Sequence, residues 1–312
     1  MSYADQLFVT MCEDIIKNGT DTQGEEVRPK WEDGTPAYTI KKFGVVNRYD
    51  LRKEFPALTL RKTALKSCMD EILWIYQRKS NNIKDLKPHI WDEWADESGS
   101  IGKAYGYQIG HAYAHHHFST KSHIQEIEEL KKEYPSACFL FSSKNWKGMV
   151  GLDQIDAVIY DLKHNPYSRR IMTNIYNFDD LKEMNLYPCA YSMTFNVTNE
   201  NGVLTLNAIL NQRSNDILAA NNWNVCQYAI LLMMIAQVCD MEAGELVHVI
   251  ADAHIYDKHV PIIKEIINRE QYPAPKVKLN PNVKNFYEFT TNDLFVEDYV
   301  AGEQVKNIPI AI

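Results

Sequence analysis

The stretch VCQYAILLMMIAQVC (225–239) constrains this chain more than any other. It is apolar around its whole circumference at helical spacing, so a helix built from it has no face to offer water. It is too short to cross a bilayer comfortably and contains two glutamines, and therefore reads as a helix covered on every side by a folded core. Covering it takes a large apolar reserve, which the chain has: 45% of its 312 residues are hydrophobic and 11% are aromatic. That composition excludes disorder. The length alone fits one large domain or two ordinary ones.

A formal net charge of −8 argues against broad nucleic-acid binding, which needs a basic surface, while leaving room for a local basic pocket that holds a small anion. The amino-terminal MSYADQLFVTMCEDII is amphipathic and acidic, without a basic start followed by an apolar core, so neither a secretory signal nor a transit peptide is expected. The cysteines at 12, 68, 138, 189, 226 and 239 form no CxxC and no disulfide framework. Free thiols, a cytoplasmic location and no membrane association are the expectation.

Along the chain, residues 3–18 read as a helix closed by Asn18-Gly19, followed by a turn-rich polar stretch that holds Arg28. Residues 59–79 carry Ala64, Cys68, Ile72 and Ile75 at helical spacing, with Glu71 among them. A Trp-rich loop runs over 89–108, and helices are predicted over 123–134 and 153–163. RRIMTNIYNF, AYSMTFNV and VLTLNAIL read as strands, the last two joined by NENG in a hairpin. After the apolar helix come a strand, ELVHVIADAHIY, a helix near 260–270 and a Pro-rich tail. There is no repeat and no regular βαβ alternation, which favours one α+β domain over a doubly wound sheet.

Candidate chemistry starts at NLYPCAYSMTFNV (185–197). Cys189 follows a stiffening proline and precedes an alternating run with Tyr191, Met193, Phe195 and Val197 on one face. A cysteine there is either a buried filler or a nucleophile at a strand mouth, and the residues alone leave both readings open. A thiol near its ordinary pKa of ~8.5 needs cationic neighbours to act as thiolate. Arg28, Arg169-Arg170 and Arg213 are the candidates, with QRSND (212–216) placing an arginine, a hydroxyl and a carboxylate together at a strand end. Arginine forks also match phosphate oxygens.

His254 and Tyr256, on one face of a strand, suit hydrogen bonds to sugar hydroxyls better than metal ligation. AHHHF (114–118), with His111 and His123 nearby, is the better metal candidate, yet three consecutive histidines cannot all point one way, and a solvated insertion accounts for them without a metal. Glu71 in an apolar helix is either a satisfied internal hydrogen bond or a carboxyl with a raised pKa that relays protons. Trp91 and Trp94 serve packing, or a flat heteroaromatic ligand.

Taken in order, Arg28, DEILW, IWDEWADESGSIGKAYGYQ, SRR, PC, QRSND, NVCQYA, AQVCDMEAGE, DAHIY and the terminal PIAI make the chain resemble the thymidylate synthase family over its whole length. The resemblance implies one catalytic domain over 1–312, with a large twisted mixed β-sheet covered by helices, and sheets packed face to face in a homodimer. It implies reductive methylation of deoxyuridylate (dUMP) by 5,10-methylenetetrahydrofolate, without a metal. Cys189 would attack C6 of the base, and Arg28, Arg213 and Ser214 would hold the 5′-phosphate. Arg169 and Arg170 would reach that phosphate from the partner subunit. Asn224 would read the uracil edge, His254 and Tyr256 the ribose 3′-hydroxyl. Glu71 would organise proton transfer and Tyr105 would stand near the proton-abstraction step. Trp91, Trp94 and Asp216 would border the folate, and the tail ending at Ile312 would close over the ligands.

Three departures stand out. Ala190 follows the cysteine where the family usually has His. Ala220-Asn221-Asn222-Trp223 replaces the usual Gly-x-Pro-Phe before the reading Asn. Residues 109–152 hold an insertion of about thirty residues that includes the histidine cluster. With Ala190 and the altered 220–223 loop, a dUMP hydroxymethylase that releases tetrahydrofolate is the alternative product chemistry.

Overall fold

The computed structural model describes residues 1–117, 123–142 and 147–311, with side chains for all of these except 114–117, 123–126, 141–142 and 147–149. The side chains of the histidine cluster at 114–118 and of His123, together with Ile312, therefore lie outside what the structure describes.

The chain opens with α1 (Tyr3–Asn18), β1 (Thr20–Asp21) and β2 (Thr39–Asp50), then α2 (Leu65–Tyr76) and a single helical turn, α3 (Gly106–Ile109). β3 (Tyr113–His117), α4 (His123–Glu133), β4 (Cys138–Ser142) and β5 (Lys147–Leu152) follow, with α5 (Gln154–His164) and β6 (Met172–Asn174). β7 (Ala190–Glu200), β8 (Val203–Asp216), α6 (Asn221–Val238), β9 (Glu242–Tyr256), α7 (Val260–Ile266), β10 (Lys276–Leu279) and β11 (Leu294–Glu297) complete it.

The fold is α+β. Its main sheet has six strands in the order β1-β2-β9-β8-β7-β6, antiparallel throughout except for β8 and β9. A parallel pair cannot be joined by a hairpin; α6 is the crossover between them. It packs between that sheet and α2, which explains an apolar circumference: Val225, Cys226, Ala229, Ile230, Leu231, Leu232, Met234 and Ile235 are all buried to 0% exposure. Each such large side chain contributes about 1.5–3 kcal/mol on leaving water.

Three expected elements are shorter than their periodicity suggested. Residues 59–64 stay outside the helix, bent at 59–61, where Thr59 is tied to Asp5, whose carboxylate accepts its backbone N–H at 2.8 Å; α2 stops at Tyr76, and Lys79 beyond it is in the left-handed conformation (φ 54°). The strand read into RRIMTNIYNF is confined to Met172–Asn174, and the predicted 260–270 helix stops at Ile266. β2 was not anticipated: its apolar residues do not alternate, and Gly44 interrupts it at φ 75°, where a side chain would be strained. The 109–152 segment builds a small antiparallel sheet of its own, β3-β5-β4, with α4.

Register brings one end of the sheet into focus. Ala190 pairs with Gln212 across β7 and β8; Ser214 and Asp216 pair with Asp252 and His254 across β8 and β9; Thr39 pairs with Tyr256 across β2 and β9. Between Ala190 and Ser192 the ladder slips by one residue, a bulge at Tyr191 next to Cys189. Tyr191 is accordingly only half-buried, while Met193, Phe195 and Val197 enter the core as the alternation predicts. Bulges of this kind re-aim side chains near strand ends.

The opposite face of the sheet is bare in the single chain. Met172, Thr194 and Ile209 lie side by side in register and continue into Val247, which is buried at 8% exposure, with Val46 two residues further along; Met172 is 47%, Ile209 41% and Val46 52% exposed.

Candidate active site

Cys189 stands at the mouth of β7, half-buried, with its Sγ 3.8 Å from Nη2 of Arg213 and 3.9 Å from the carbonyl of Tyr187. Its backbone is pinned at both ends: the N–H donates to Tyr105 Oη at 3.3 Å, and the carbonyl accepts the Arg213 N–H at 2.8 Å. Tyr105 holds that place with φ 47°, a conformation uncommon for a bulky residue and one that strain confines to over-determined sites. Burial pushes the Cys189 thiol above its ordinary range, with Arg213 first and Arg28 second opposing it. Burial outweighs the two arginines, so the thiol is held protonated at neutral pH in the free chain.

The charge of Arg28, exposed in the loop before β2, also acts on Tyr256. Arg28, Cys189, Arg213 and Tyr256 therefore converge, although they come from four separate segments. Arg169 and Arg170 differ. They are exposed in the turn before β6, and neither guanidinium makes a hydrogen bond or ion pair with a described residue.

Asn224 lies in the first turn of α6, its amide partly open. Its Oδ1 accepts from Gln212 Nε2 at 3.0 Å and, more loosely, from Asn215 Nδ2 at 3.4 Å, while its Nδ2 donates to Gln227 Oε1 at 3.0 Å. Ser214 is half-buried, next to Arg213 in the sequence of β8.

Glu71 is buried and gripped by two indoles. Trp91 Nε1 donates to one carboxylate oxygen at 2.7 Å and Trp223 Nε1 to the other at 2.6 Å. Burial raises its pKa to about 7, against the lowering effect of the Trp223 and Trp91 hydrogen bonds. A carboxyl with that pKa can take up and release a proton at working pH. Trp91 packs edge-on against Tyr105 at 4.8 Å and Trp94 at 5.8 Å between ring centroids, joining Glu71 to the Cys189 side of the site.

On the far wall, the Asp252 carboxylate accepts from His254 Nδ1 at 2.8 Å, which fixes the orientation of the ring. The Tyr256 ring lies 5.1 Å from that imidazole. The Asp216 carboxylate accepts the backbone N–H groups of Leu218 at 2.9 Å and Ala219 at 3.0 Å, and lies 3.4 Å from Nδ1 of the buried His259. His259 Nε2 donates to the Pro309 carbonyl at 2.8 Å, so this imidazole joins Asp216 to the carboxy-terminal tail. Burial disfavours its charge, but Asp216 outweighs burial and raises its pKa.

The structure thus brings together Arg28, Glu71, Trp91, Trp94, Tyr105, Cys189, Arg213, Ser214, Asp216, Asn224, His254 and Tyr256. His111 is exposed beside Tyr113, and among the described residues no group of three metal-ligating side chains occurs. Sequence reading missed Trp223, Gln212, His248, Asp252 and His259. Asp252 was readable, because it sits two residues from His254 and so shares its strand face. Trp223 was visible only as a departure in the 220–223 loop.

A family model described as thymidylate synthase matches residues 6–311. A thymidylate synthase of Bacillus licheniformis is 39% identical over 309 residues, covering 98% of each chain, and thymidylate synthase 1 of Bacillus subtilis strain 168 is 37% identical at the same coverage. The solved structure of the thermostable thymidylate synthase A from Bacillus subtilis is 36% identical and superimposes with a TM-score of 0.81 over 99% of both chains. Coverage this complete on both sides means that these relatives carry a segment comparable to 109–152.

Proposed function

The chain belongs to the thymidylate synthase family, and from that premise we propose the roles by which its own residues carry out the reductive methylation of dUMP to dTMP. The family's cosubstrate, methylenetetrahydrofolate, supplies the one-carbon unit and the hydride. The observation that carries the assignment is the thiol of Cys189 within 3.8 Å of the Arg213 guanidinium, at the end of the sheet where Asn224 and Glu71 also converge.

Arg28, Arg213 and Ser214 hold the 5′-phosphate. The dianion sits beside the cations that favour the thiolate, so phosphate binding and thiol activation have to be balanced in one cluster. Cys189 gives up its proton to solvent and attacks C6 of the ring as the thiolate, its S–C bond forming as the C5–C6 π electrons move toward C5 and the C4 carbonyl oxygen. Asn224 offers an acceptor and a donor to the N3–H and O4 edge of uracil. Glu71 moves protons at the O4 side of the ring, and Tyr105, already bonded to the Cys189 backbone, stands near the later removal of the C5 proton. His254, oriented by Asp252, and Tyr256 bind the ribose 3′-hydroxyl.

The residues fit a folate. Trp94 is half-buried with its ring beside Trp91, and the Asp216 carboxyl is held below its ordinary pKa: burial opposes this, but His259 and backbone N–H groups outweigh it. Trp91, Trp94 and Asp216 border the pteridine, and the tail ending at Ile312 closes over it. No metal takes part. Residues 1–312 form one catalytic domain in a cytoplasmic homodimer. The bare apolar sheet face supports that assembly, since exposed apolar patches of this kind mark interfaces. Arg169 and Arg170, whose guanidinium groups bond to no described residue, then reach the partner's phosphate.

The hydroxymethylated product is not favoured, since the full-length relatives are thymidylate synthases. The test is product analysis with dUMP and methylenetetrahydrofolate. A methylated nucleotide formed together with dihydrofolate is expected. A hydroxymethylated nucleotide with tetrahydrofolate would overturn the assignment. Cys189→Ser is expected to remove turnover while retaining dUMP binding; unchanged turnover would remove Cys189 from the mechanism.

A further inference from the structure

An amide reads a pyrimidine edge ambiguously. With its oxygen one way round, Asn224 matches the N3–H and O4 of uracil; turned over, it matches the N3 and N4–H2 of cytosine. The side chain is nearly the same shape both ways, so selectivity has to come from whatever holds the amide in one orientation.

The hydrogen-bond chain behind Asn224 supplies that hold. Gln212 donates to Asn224 Oδ1 through Nε2 at 3.0 Å, and its own Oε1 lies 2.7 Å from Nε2 of His248, a side chain buried to 0% exposure. Gln212 is itself 2% exposed. At 2.7 Å one of those two atoms must carry a hydrogen, and the carbonyl oxygen cannot. His248 therefore donates from Nε2. The other ring nitrogen, Nδ1, is buried without a hydrogen-bond partner. A lone pair in such a place costs less than an orphaned N–H, so the surroundings of Nδ1 select the same tautomer. Burial also pushes the His248 pKa down to about 3, which keeps the ring neutral.

A second route ends on the same oxygen. Asn221 Nδ2 donates to Asn215 Oδ1 at 3.0 Å, which turns the Asn215 Nδ2 toward Asn224 Oδ1 at 3.4 Å. Turning Asn224 over would set its Nδ2 against the Gln212 Nε2 donor and its Oδ1 against Gln227 Oε1. Every member would have to turn with it, as far back as His248. The 3.4 Å contact is the loose one, and the one a base N3–H can displace.

We propose that His248, remote from the ligands, is the specificity-positioning residue of this site: as a fixed Nε2–H donor it sets Gln212 and through it Asn224 in the orientation that accepts uracil and rejects cytosine. The proposal rests on the reading of Asn224 given above.

Two measurements test it. In the wild-type protein, nitrogen-15 spectra of the imidazoles should show His248 as the neutral Nε2–H tautomer from pH 5 to 9; an Nδ1–H tautomer or a titration in that range would overturn the proposal without a variant having to fold. The second is the ratio of kcat/KM for dUMP over dCMP. His248→Leu should lower it about tenfold, roughly the worth of one hydrogen bond, and His248→Gln, which can place an N–H near the lost Nε2, should recover part of it. If His248→Leu depresses both substrates equally, the residue is structural only. Failure of the wild type to turn over dUMP would instead sink the function proposed for the site.

Discussion

Trp223→Phe isolates one of the two hydrogen bonds that hold Glu71. An aromatic ring remains in the first turn of α6, so packing toward α2 is largely kept, but the donor 2.6 Å from Oε2 is lost. That donor stabilises the ionised carboxyl. Hydrogen bonds to charged groups contribute about 1.5–3 kcal/mol, and one pKa unit corresponds to about 1.36 kcal/mol. Loss of the bond therefore moves the Glu71 pKa upward from about 7 by about one unit, and by about two if no water replaces the indole. Carbon-13 titration of the Glu71 carboxyl in the free protein reads the shift directly. The limb of the kcat/KM profile that Glu71 governs should move to higher pH by the same amount. Trp91→Phe acts on the other oxygen, at 2.7 Å, and should shift it comparably. A Glu71 midpoint that stays put or falls in Trp223→Phe would refute the reasoning, because the indole would then only pack.

Replacing Glu71 by Gln should flatten the pH dependence of stability. Its folded pKa of about 7 lies above the ordinary 4.5, so the wild type has this contribution in full below pH 4.5 and loses up to about 3 kcal/mol as pH rises through 7; urea titrations at pH 5 and 8 measure it. Arg213→Lys should slow alkylation of Cys189 by iodoacetamide about three- to tenfold at pH 7.5, because the cation that most lowers the thiol pKa loses its fork; an unchanged rate would show that the guanidinium does not reach the sulfur. The raised pKa of His259 reverses the sign seen for depressed carboxylates. Its bridge from Asp216 to Pro309 is complete below the ordinary histidine value of 6.5 and weakens as pH rises through the folded value. Amide exchange over 305–311 should accelerate across that range in the wild type, and show no such pH step in His259→Phe.

The helices and the β7–β8 hairpin were legible because their apolar residues repeat with the period of the element. β2 was not, since Lys41, Lys42, Gly44 and Asn47 break the alternation and its partners are supplied by β9 about two hundred residues later. The chemistry-bearing residues Cys189, Arg213 and Glu71 stood out by type and context, and Asn224 only through the family resemblance. The groups that orient them did not. Gln212 and His248 meet through the parallel pairing of β8 with β9, and Trp223 reaches Glu71 across the interface of α6 with α2. Such contacts have no local pattern. Tyr191 shows the limit within one strand, where a single slipped residue beside the nucleophile overrides an otherwise clean alternation.

The crossover helix α6 carries Asn224 in its opening turn and spends the rest of its length at the centre of the molecule. The part that recognises the base is thus rigidly continuous with the part that holds the protein together. Heat should therefore abolish catalysis and helical circular dichroism in one transition, without a folded but inactive stage. An engineer who wishes to loosen recognition of the base will have to work through the surrounding amides, because easing the helix itself loosens the whole fold.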